Sequence, residues 1–562
     1  MKGVDVFPEG LGREGGGPPT RPPEGKTDDV GGEGSASPLP QPFFPRQDSP
    51  DAPATGEEIR FPPSPEEGGV PDEPGVGGKG GTSPKKGGWR MVGGGGVVKK
   101  KGGTDLTPVG VTVWRNQGVP FGVTEKDRLR HVYVIGKTGT GKTTLLSNMF
   151  LTEVKRGVGG AYLDPQGDVF THLLAHCREL KDRVVVFDPA DREWPVGLNL
   201  LEVDEGMDRD LVCAQAIGIF RLLFGSSWGP RMENILRNAI LLLLENPGST
   251  LVDIPKVLLD REERYEMLRR VTNPLVFSFW MREAEGMSQG EWSKSVQPVL
   301  NKVGRFVSNP IIRNIVGQRR CTVDFRKVLD EGGVILANLS KGRIGGENTH
   351  LLGAILIARL WLAALSRYDM DEKERKPFFL YVDEFQDFAF SGFLEMFSQA
   401  RKYGLGLVVA NQFLAQLDDE IRHAVFGNVA TEIVFTIGAG DAKLMSQEFA
   451  PYLDYLDFVN LPAHHMYLRL CIDGVTSPPF SARSFPPLFP EIPWEERKKW
   501  EEEVREASRR KYATPRAKVE EELVKGDALL QEFVVRTRGG EFGSGVGLED
   551  FGDPTFSLLD DE

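Results

Sequence analysis

Short apolar runs rich in valine and isoleucine alternate with longer stretches of helical periodicity over most of this chain. The runs have the length of buried strands, and they predict strands over 109–114, 131–135, 159–164, 183–188, 333–339, 378–383, 405–411 and 432–437. A strand, a helix and a second strand follow one another over 131–164, and such βαβ units form parallel sheets. The pattern therefore predicts an α/β fold with a mainly parallel sheet covered by helices on both faces.

The middle and the end of the chain have helical periodicity without strands. The predicted helices are 232–244, 253–271, 293–307 and a charge-rich C-terminal pair that is interrupted near Pro515. We therefore predict an all-helical insertion domain between two parts of one sheet domain. The predicted boundaries are 105–204 and 330–490 for the sheet domain, 205–329 for the insertion and 491–535 for the charged helices.

The two ends of the chain are compositionally unlike the rest. The first 100 residues contain 24 glycines and 17 prolines and few large apolar side chains. Such a segment cannot bury enough surface to offset its chain entropy, so residues 1–104 are predicted to be a disordered tail. Residues 536–562 mix acidic and aromatic side chains, which fits a disordered acidic tail or a short docking peptide.

Composition excludes several classes of protein. The net charge of −13 over 562 residues argues against a generally basic nucleic-acid coat protein, although local basic loops can still bind DNA. Four widely spaced cysteines indicate neither a zinc site nor a disulfide framework. No run of 18 apolar residues and no apolar leader are present, so we expect no transmembrane segment and a cytoplasmic protein.

A complete G-x-x-x-x-G-K-T motif lies between the strand at 131–135 and a predicted helix. Glycines allow successive backbone N–H groups to turn toward a phosphate, and the helix N-terminus adds partial positive charge. Lys142 is expected to reach the β- and γ-phosphates of ATP, and the Thr143 hydroxyl to hold Mg²⁺. The predicted nucleotide-binding residues are Gly136, Lys137, Thr138, Gly139, Thr140, Gly141, Lys142, Thr143 and Thr144.

Polar side chains that follow other predicted strands complete this site. Asp383 is expected to hold Mg²⁺ and Glu384 to act as the general base that activates water. Gln412 follows the next strand and is predicted to sense the γ-phosphate or position the water. Asp164 and Asp168 follow the strand at 159–164, where they could either support the site or form an ordinary Asx turn.

Arginines near these strands are candidates for stabilising transition-state charge. Arg401 precedes the strand that ends near Gln412. It could act across a subunit boundary or be an ordinary surface residue of a helix, and Arg422 is a weaker candidate of the same type.

Many ordered motifs, covering roughly 105 to 490, resemble the HerA/FtsK superfamily. The resemblance is closest to soluble relatives of type IV secretion coupling proteins with a TraG-like or TraM-recognition-type C-terminal half. The motifs are HVYVIGKTGTGKTTLL, LDPQGD, FDPAD, GLNLLE, WGPRMENILRNA, FFLYVDEFQDF, ARKYGLGLVVANQ and FGNVATEIVFTIGAGDA. In the DPxGD motif the family often carries histidine where this chain has Gln166.

The resemblance implies a RecA-like P-loop core in a homo-hexameric ring that uses ATP and Mg²⁺ to pump DNA through a central channel. It also implies an all-α domain at the DNA entrance, and Arg401 as the arginine offered to a neighbouring subunit. A relaxase, a nuclease or a secretion-type protein would be a partner. Unlike membrane-anchored relatives, this chain begins with the Gly/Pro-rich tail.

Two functions are therefore expected. The first is an ATP-hydrolysing DNA translocase. The alternative is an ATP-regulated recruitment module that delivers a nucleoprotein or protein substrate to a transfer machinery without processive movement.

Overall fold

The computed structural model describes residues 106–113 and 118–526, together with two antiparallel two-residue strands, Trp89–Arg90 and Lys99–Lys100. The rest of the predicted N-terminal tail, residues 114–117 and residues 527–562 lie outside the described part of the chain. The predicted acidic tail and the end of the last charged helix are therefore not described.

One large sheet organises the described residues. It has eleven strands: β1 Leu106–Thr112, β2 Pro120–Thr124, β3 Val132–Ile135, β4 Gly159–Asp164, β5 Val184–Phe187, β6 Val334–Asn338, β7 Phe378–Val382, β8 Leu405–Asn411, β9 Thr431–Val434, β10 His465–Arg469 and β11 Phe480–Ser484. Their order across the sheet is β2-β1-β11-β10-β9-β3-β8-β7-β4-β6-β5. The seven strands from β9 to β5 are parallel, and the other four pair antiparallel. The predicted α/β fold with a mainly parallel sheet is confirmed.

All eight predicted strands are present, and three strands of the main sheet were missed. The missed strands are β2, β10 and β11, which belong to the antiparallel part. In β10, Met466 and Leu468 are buried while the alternate positions are half-buried. Strands of this kind lack the continuous apolar run that marks a strand buried on both faces, so only their period-two alternation could have revealed them. A short hairpin, Cys471–Ile472 with Val475–Thr476, was also not predicted.

Nineteen α-helices connect or cover the strands in the described residues. They are α1 Glu125–Arg128, α2 Lys142–Lys155, α3 Phe170–His176, α4 Arg209–Phe224, α5 Pro230–Leu244, α6 Ile254–Leu259, α7 Arg261–Leu268, α8 Pro274–Ser278, α9 Gln289–Val307, α10 Pro310–Val316, α11 Phe325–Glu331, α12 Lys341–Ile344, α13 Gly346–Leu365, α14 Gly392–Gln399, α15 Asp419–Asn428, α16 Ala439–Glu448, α17 Tyr455–Val459, α18 Trp494–Tyr512 and α19 Arg516–Lys525. Eight helices, α4 to α11, follow one another between β5 and β6.

One predicted helix, 253–271, is two helices in the structure. The chain leaves helical geometry at Asp260, whose carboxylate accepts hydrogen bonds from the backbone N–H groups of Glu262 and Glu263. An N-cap residue has a non-helical backbone conformation, so an aspartate that caps a new helix also ends the helix before it. Helical periodicity continues across such a cap, which is why the pattern alone joined α6 to α7.

The alternation of side chains along the strands divides the interior into two apolar cores. Tyr133 and Ile135 face a larger core that includes α13 and the helices between β5 and β6. Val132 and Val134 face a smaller core formed with α2, α3 and Val504 of α18. The helical segment therefore shares one continuous core with the sheet.

Two helices, Arg209–Ser227 and Gly346–Asp369, are long and apolar enough to cross a membrane by length and composition alone. However, 50% and 83% of their most apolar windows are buried inside the protein. A core helix meets the same criteria, and α13, which forms most of the second segment, belongs to the larger core.

The C-terminal helix α18 covers the edge of the sheet at β5. The Val186 N–H group donates a 2.8 Å hydrogen bond to the Ser508 hydroxyl, and Ser508 is buried. Arg505 forms a 2.9 Å ion pair with Asp188, and Arg509 forms a 2.8 Å ion pair with Asp191. The charged helix expected from the sequence thus occupies the position that a further strand would take.

A buried ion pair lies between α2 and the sheet. The Arg128 guanidinium is fully buried, contacts the Glu153 carboxylate and lies 3.7 Å from the ring centroid of Phe379. The Tyr381 hydroxyl donates a 2.6 Å hydrogen bond to the same carboxylate. Burial acts to lower the pKa of Arg128, but Glu153, Tyr381 and Glu125 together outweigh this effect and the pKa is raised. The network joins the helix after the glycine-rich loop to strand β7.

We predict that Glu153→Ala destabilises the protein by about 3–5 kcal/mol, because it leaves the buried Arg128 charge unpaired. The measurement is the free energy of unfolding from urea titration. The control is Glu266→Ala, which removes an exposed 2.9 Å pair with Arg269 and is expected to cost less than about 1 kcal/mol. Equal losses in the two variants would contradict the assignment of the network as a stabilising centre.

Candidate nucleotide-binding site

The predicted site residues follow strands that are neighbours in the sheet. The glycine-rich loop follows β3, Gln412 follows β8, and Asp383 and Glu384 follow β7. These strands are parallel and adjacent, so their carboxyl ends meet at one edge. The structure brings together the predicted loop, carboxylates and glutamine, in the crevice where open α/β sheets bind ligands.

The loop depends on glycine at two positions. Gly141 has φ of +113°, and a Cβ there would lie 2.9 Å from Nδ1 of His464. A Cβ on Gly136 would lie 2.6 Å from Cβ of Phe435. The three consecutive residues Lys137, Thr138 and Gly139 are exposed, so the loop is open to a ligand on one side.

Lys142 lies at the first turn of α2 with its side chain folded over the loop. Its ammonium donates hydrogen bonds to the carbonyls of Gly136, at 2.6 Å, and Lys137, at 3.2 Å. Burial lowers the pKa of Lys142, while Asp383 and Glu384 act in the opposite direction. A buried cation within the loop is suited to an anionic ligand, since phosphate oxygens can replace the carbonyl acceptors.

Thr143 and Asp383 are in direct contact. The Thr143 hydroxyl donates a 2.9 Å hydrogen bond to Oδ2 of Asp383. Burial, followed by the charge of Glu384, raises the pKa of Asp383 to about 6, although Thr143 and Lys142 counteract it. A hydroxyl and a carboxylate side by side are hard oxygen donors of the kind that Mg²⁺ prefers, so these residues fit the predicted metal site.

Glu384 is held in an unusual backbone conformation. Its φ is +48°, in the left-handed region, and its N–H donates a 3.0 Å hydrogen bond to Oδ1 of Asp383. This region is costly for residues other than glycine, and such strain is found at active sites. The side chain accepts hydrogen bonds from three glutamines, Gln166 at 3.1 Å, Gln386 at 2.8 Å and Gln412. These donors fix the orientation of the Glu384 carboxylate.

Gln412 connects two parts of the site. Its amide donates to Glu384, and its carbonyl accepts a 3.0 Å hydrogen bond from the Thr138 hydroxyl. The turn before it is anchored by the buried Asn411, which accepts a 2.6 Å hydrogen bond from the Tyr133 hydroxyl. The position of Gln412 is compatible with the predicted sensor role, which stays a prediction.

Sequence reasoning missed two of the three glutamines and one histidine. Gln166 occupies the position where the family often has histidine, and that substitution was the signal available. Gln386 lies two residues after Glu384 and could have been noticed from this spacing. The backbone N–H group of His464 donates a 3.1 Å hydrogen bond to the backbone carbonyl of Thr140. His464 is more than 300 residues from the loop, so no local pattern indicates this contact.

The carboxylate of Asp164 is engaged in a turn. Its two oxygens accept hydrogen bonds from four backbone N–H groups, at residues 166, 167, 169 and 170, over 2.7–3.1 Å. Asp168 is exposed. Of the two possibilities open for this motif, the geometry favours an Asx turn.

Arg401 lies at the opposite edge of the sheet from the loop. It belongs to a short 3₁₀ turn, Ala400–Tyr403, before β8, whereas Gln412 comes after that strand. Seven strand residues span about 20 Å, so the exposed Arg401 side chain cannot reach the phosphate loop of its own chain. The second candidate, Arg422, forms a 2.8 Å ion pair with Asp419.

Two other arginines hold the turn that carries Arg401. The buried Arg367 donates a 2.9 Å hydrogen bond to the carbonyl of Tyr403, and Arg375 donates to the carbonyl of Lys402. Arg367 also forms a 2.9 Å ion pair with Asp330. The backbone beside Arg401 is therefore fixed, while its own side chain extends into solvent.

No protein-family model and no curated protein matches the sequence, but solved structures do. The plasmid coupling protein TrwB in complex with the non-hydrolysable ATP analogue ADPNP has a TM-score of 0.51 and 17% identity, over 70% of this chain and 94% of that chain. TrwB in complex with ADP and Mg²⁺ has a TM-score of 0.47 and 18% identity, over 70% and 99% of the two chains. VirB4 of Thermoanaerobacter pseudethanolicus has a TM-score of 0.48 and 14% identity, over 72% and 100%.

The TM-score of 0.51 shows that this chain has the fold of the TrwB coupling protein. The RecA-like P-loop fold that the motifs implied is thereby confirmed. These identities support the fold alone.

We predict that Mg²⁺-dependent binding of a nucleotide analogue weakens below about pH 6. Asp383 must be ionised to hold the metal, and its raised pKa of about 6 means that protons compete with Mg²⁺ below that value. The apparent Mg²⁺ affinity should fall about tenfold per pH unit there. In Glu384→Gln the neighbouring charge is absent, so the fall should begin at a lower pH. An affinity that does not change with pH would contradict this assignment.

Proposed function

We propose that this protein is an ATP-driven DNA translocase that works as a ring of six identical subunits. The resemblance to coupling proteins implies this hexameric assembly. The observation that carries the proposal is the division of the site between two edges of one sheet. The loop, Asp383, Glu384 and Gln412 lie at the carboxyl edge, and Arg401 lies exposed at the other edge. In a ring, the Arg401 edge of one subunit faces the carboxyl edge of the next.

ATP and Mg²⁺ are the proposed ligands. The TrwB structure with a TM-score above 0.5 is a complex with a non-hydrolysable ATP analogue, and this chain carries a complete G-x-x-x-x-G-K-T loop. Lys142 binds the β- and γ-phosphates, and Thr143 and Asp383 hold the metal. Mg²⁺ held by these residues would neutralise charge that develops on the phosphates.

Hydrolysis follows from the position of Glu384. Its carboxylate takes the proton of the attacking water, and the hydrogen bonds from Gln166, Gln386 and Gln412 orient it for this step. Gln412 also bonds to Thr138 of the loop, so it can transmit the state of the γ-phosphate to the base. Arg401 of the neighbouring subunit stabilises the transition-state charge.

DNA is the proposed substrate because the fold is that of a plasmid coupling protein and because the motifs resemble DNA-pumping relatives. Contacts would go to phosphates and would carry little base specificity. A cytoplasmic location and a relaxase, nuclease or secretion-type partner belong to the same proposal. The alternative, a recruitment module, uses the same ATP site to control assembly with a protein substrate.

The first test is ATP turnover by the full-length protein with single-stranded DNA, duplex DNA and no DNA. We expect DNA to stimulate turnover, Lys142→Ala to abolish it, and Glu384→Gln to keep ATP binding while losing hydrolysis. Turnover that is indifferent to DNA, together with tight binding of a protein partner, would favour the recruitment module. A strictly monomeric protein without DNA stimulation would contradict the translocase.

The second test asks whether Arg401 acts on a neighbouring subunit. Arg401→Ala alone should lower turnover by roughly a thousandfold, whereas Lys402→Ala, which changes the adjacent exposed cation, should have little effect. Mixing Arg401→Ala with Lys142→Ala subunits should restore activity, because about one quarter of random interfaces pair an intact loop with an intact arginine. No recovery in verified mixed oligomers would exclude action across the interface.

A further inference from the structure

An arginine-lined cavity lies between the helical segment and the carboxyl edge of the sheet. Its volume is about 630 Å³. Four arginines line it, and each comes from a different segment: Arg192 after β5, Arg305 in the last turn of α9, Arg343 in α12 and Arg516 at the start of α19. One carboxylate, Asp191, lines the same cavity. This excess of positive charge stands out in a chain with a net charge of −13.

The carboxylates around the cavity do not neutralise this charge fully. Asp191 is paired with Arg509, which does not line the cavity, at 2.8 Å. Asp188 is shared between Arg343, at 3.4 Å, and Arg505, at 2.9 Å, so one negative charge serves two arginines.

The remaining ion pairs of the cavity are exposed. Arg305 pairs with Glu347 at 3.1 Å, and the two side chains are 61% and 59% exposed. Arg516 pairs with Glu193 and Glu520 at 3.3 Å and 2.7 Å. Exposed pairs of this kind are weak, so phosphate oxygens can displace their carboxylates.

Arg192 is exposed and forms no ion pair within the described ranges of the chain. Its charge is therefore available to a ligand from solution.

The cavity lies on the same edge of the sheet as the nucleotide site. Strand β6 is four strands from β3, which corresponds to roughly 19 Å along the edge. Backbone hydrogen bonds join the turn after β4 to the segment after β6, from Leu339 to Asp164 and from Lys341 to Pro165. The Lys341 ammonium also pairs at 2.7 Å with Asp387, three residues after Glu384. Helix α12, which carries Arg343, is thus attached to the loops of the nucleotide site.

We propose that this cavity binds the phosphate backbone of the nucleic-acid substrate. The inference rests on the proposed function and deepens it by naming residues that contact the DNA. Guanidinium groups match phosphate oxygens in geometry and charge. The four arginines come from separate segments, and Arg305, Arg343 and Arg516 are 41–61% exposed, so more than one of them is open to phosphate groups from solution.

The test compares two double variants of the full-length protein. Arg192→Ala with Arg305→Ala removes two cations of the cavity. Arg269→Ala with Arg282→Ala is the matched control, since Arg269 also has an exposed pair and Arg282 is exposed elsewhere on the helical segment. Binding of a short fluorescein-labelled duplex and of a single strand is measured by anisotropy, with a nucleotide analogue present, over a range of salt.

We expect the cavity variant to bind DNA at least about tenfold more weakly at moderate salt. Its log–log salt slope should be shallower by about one unit per arginine removed, while the control keeps the slope of the unaltered protein. Nucleotide binding and the thermal unfolding midpoint should be unchanged in both variants. If the double variant does not fold, Arg192→Ala alone should still make the salt slope shallower by about one unit. Removal of Arg192 breaks no ion pair in the part of the chain that the structure describes.

Four results would overturn the inference. An unchanged slope in the cavity variant, or equal changes in both variants, would exclude the cavity while DNA-stimulated turnover still supported the proposed function. Displacement of the labelled DNA by inorganic pyrophosphate at a concentration equal to that of the DNA would show that the site binds small free phosphates. An unaltered protein that binds no DNA in any nucleotide state would exclude the proposed substrate as well.

Discussion

The parallel register of β3, β8 and β7 is the constraint on which the candidate site depends. Ile135 pairs with Asn411, and Val382 pairs with Val409. With these pairings Gly136, the first residue after β3, is level with Gln412, the first residue after β8. Glu384 is level with Asn411, the residue before Gln412. The glycine-rich loop, the two carboxylates and Gln412 therefore converge without any long side chain having to cross the sheet. Shifting one strand by a residue would turn its side chains to the opposite face and separate these groups.

The interior beneath this edge contains charges of both kinds, and they have different consequences. On the α2 side, Arg128 and Glu153 neutralise each other and connect the helix after the loop to the middle of β7. At the edge, Asp383 is buried beside another carboxylate, which raises its pKa. In the first arrangement each buried charge has a partner of opposite sign, whereas in the second two carboxylates lie together and a bound cation can offset their repulsion. The same interior therefore contains a neutralised ion pair, Arg128 with Glu153, and a carboxylate site at Asp383 whose charge is not balanced until a cation binds.

Much of the fold could be predicted because seven strands are buried on both faces and have continuous apolar runs. The same physics explains the errors, since β2, β10 and β11 are partly exposed and their polar positions break the run. The loop, Asp383 and Glu384 could be found from local spacing. The contacts of Gln166 and His464 could not, because they depend on long-range packing. The distance of Arg401 from its own loop could be predicted from its place before β8, and the resemblance strengthened its candidacy as an arginine that acts on a neighbouring subunit.

Helix α18 has a consequence for any shortened form of this chain. The N–H group of Val186 is satisfied by a serine from a helix that begins at residue 494, more than 300 positions later. A chain that stopped before this helix would present β5 as an open strand with unpaired donors and an apolar face. Such a strand recruits strands from other molecules. Loss of the C-terminal helices would then be seen first as self-association and poor solubility, although no residue of the nucleotide site had been removed.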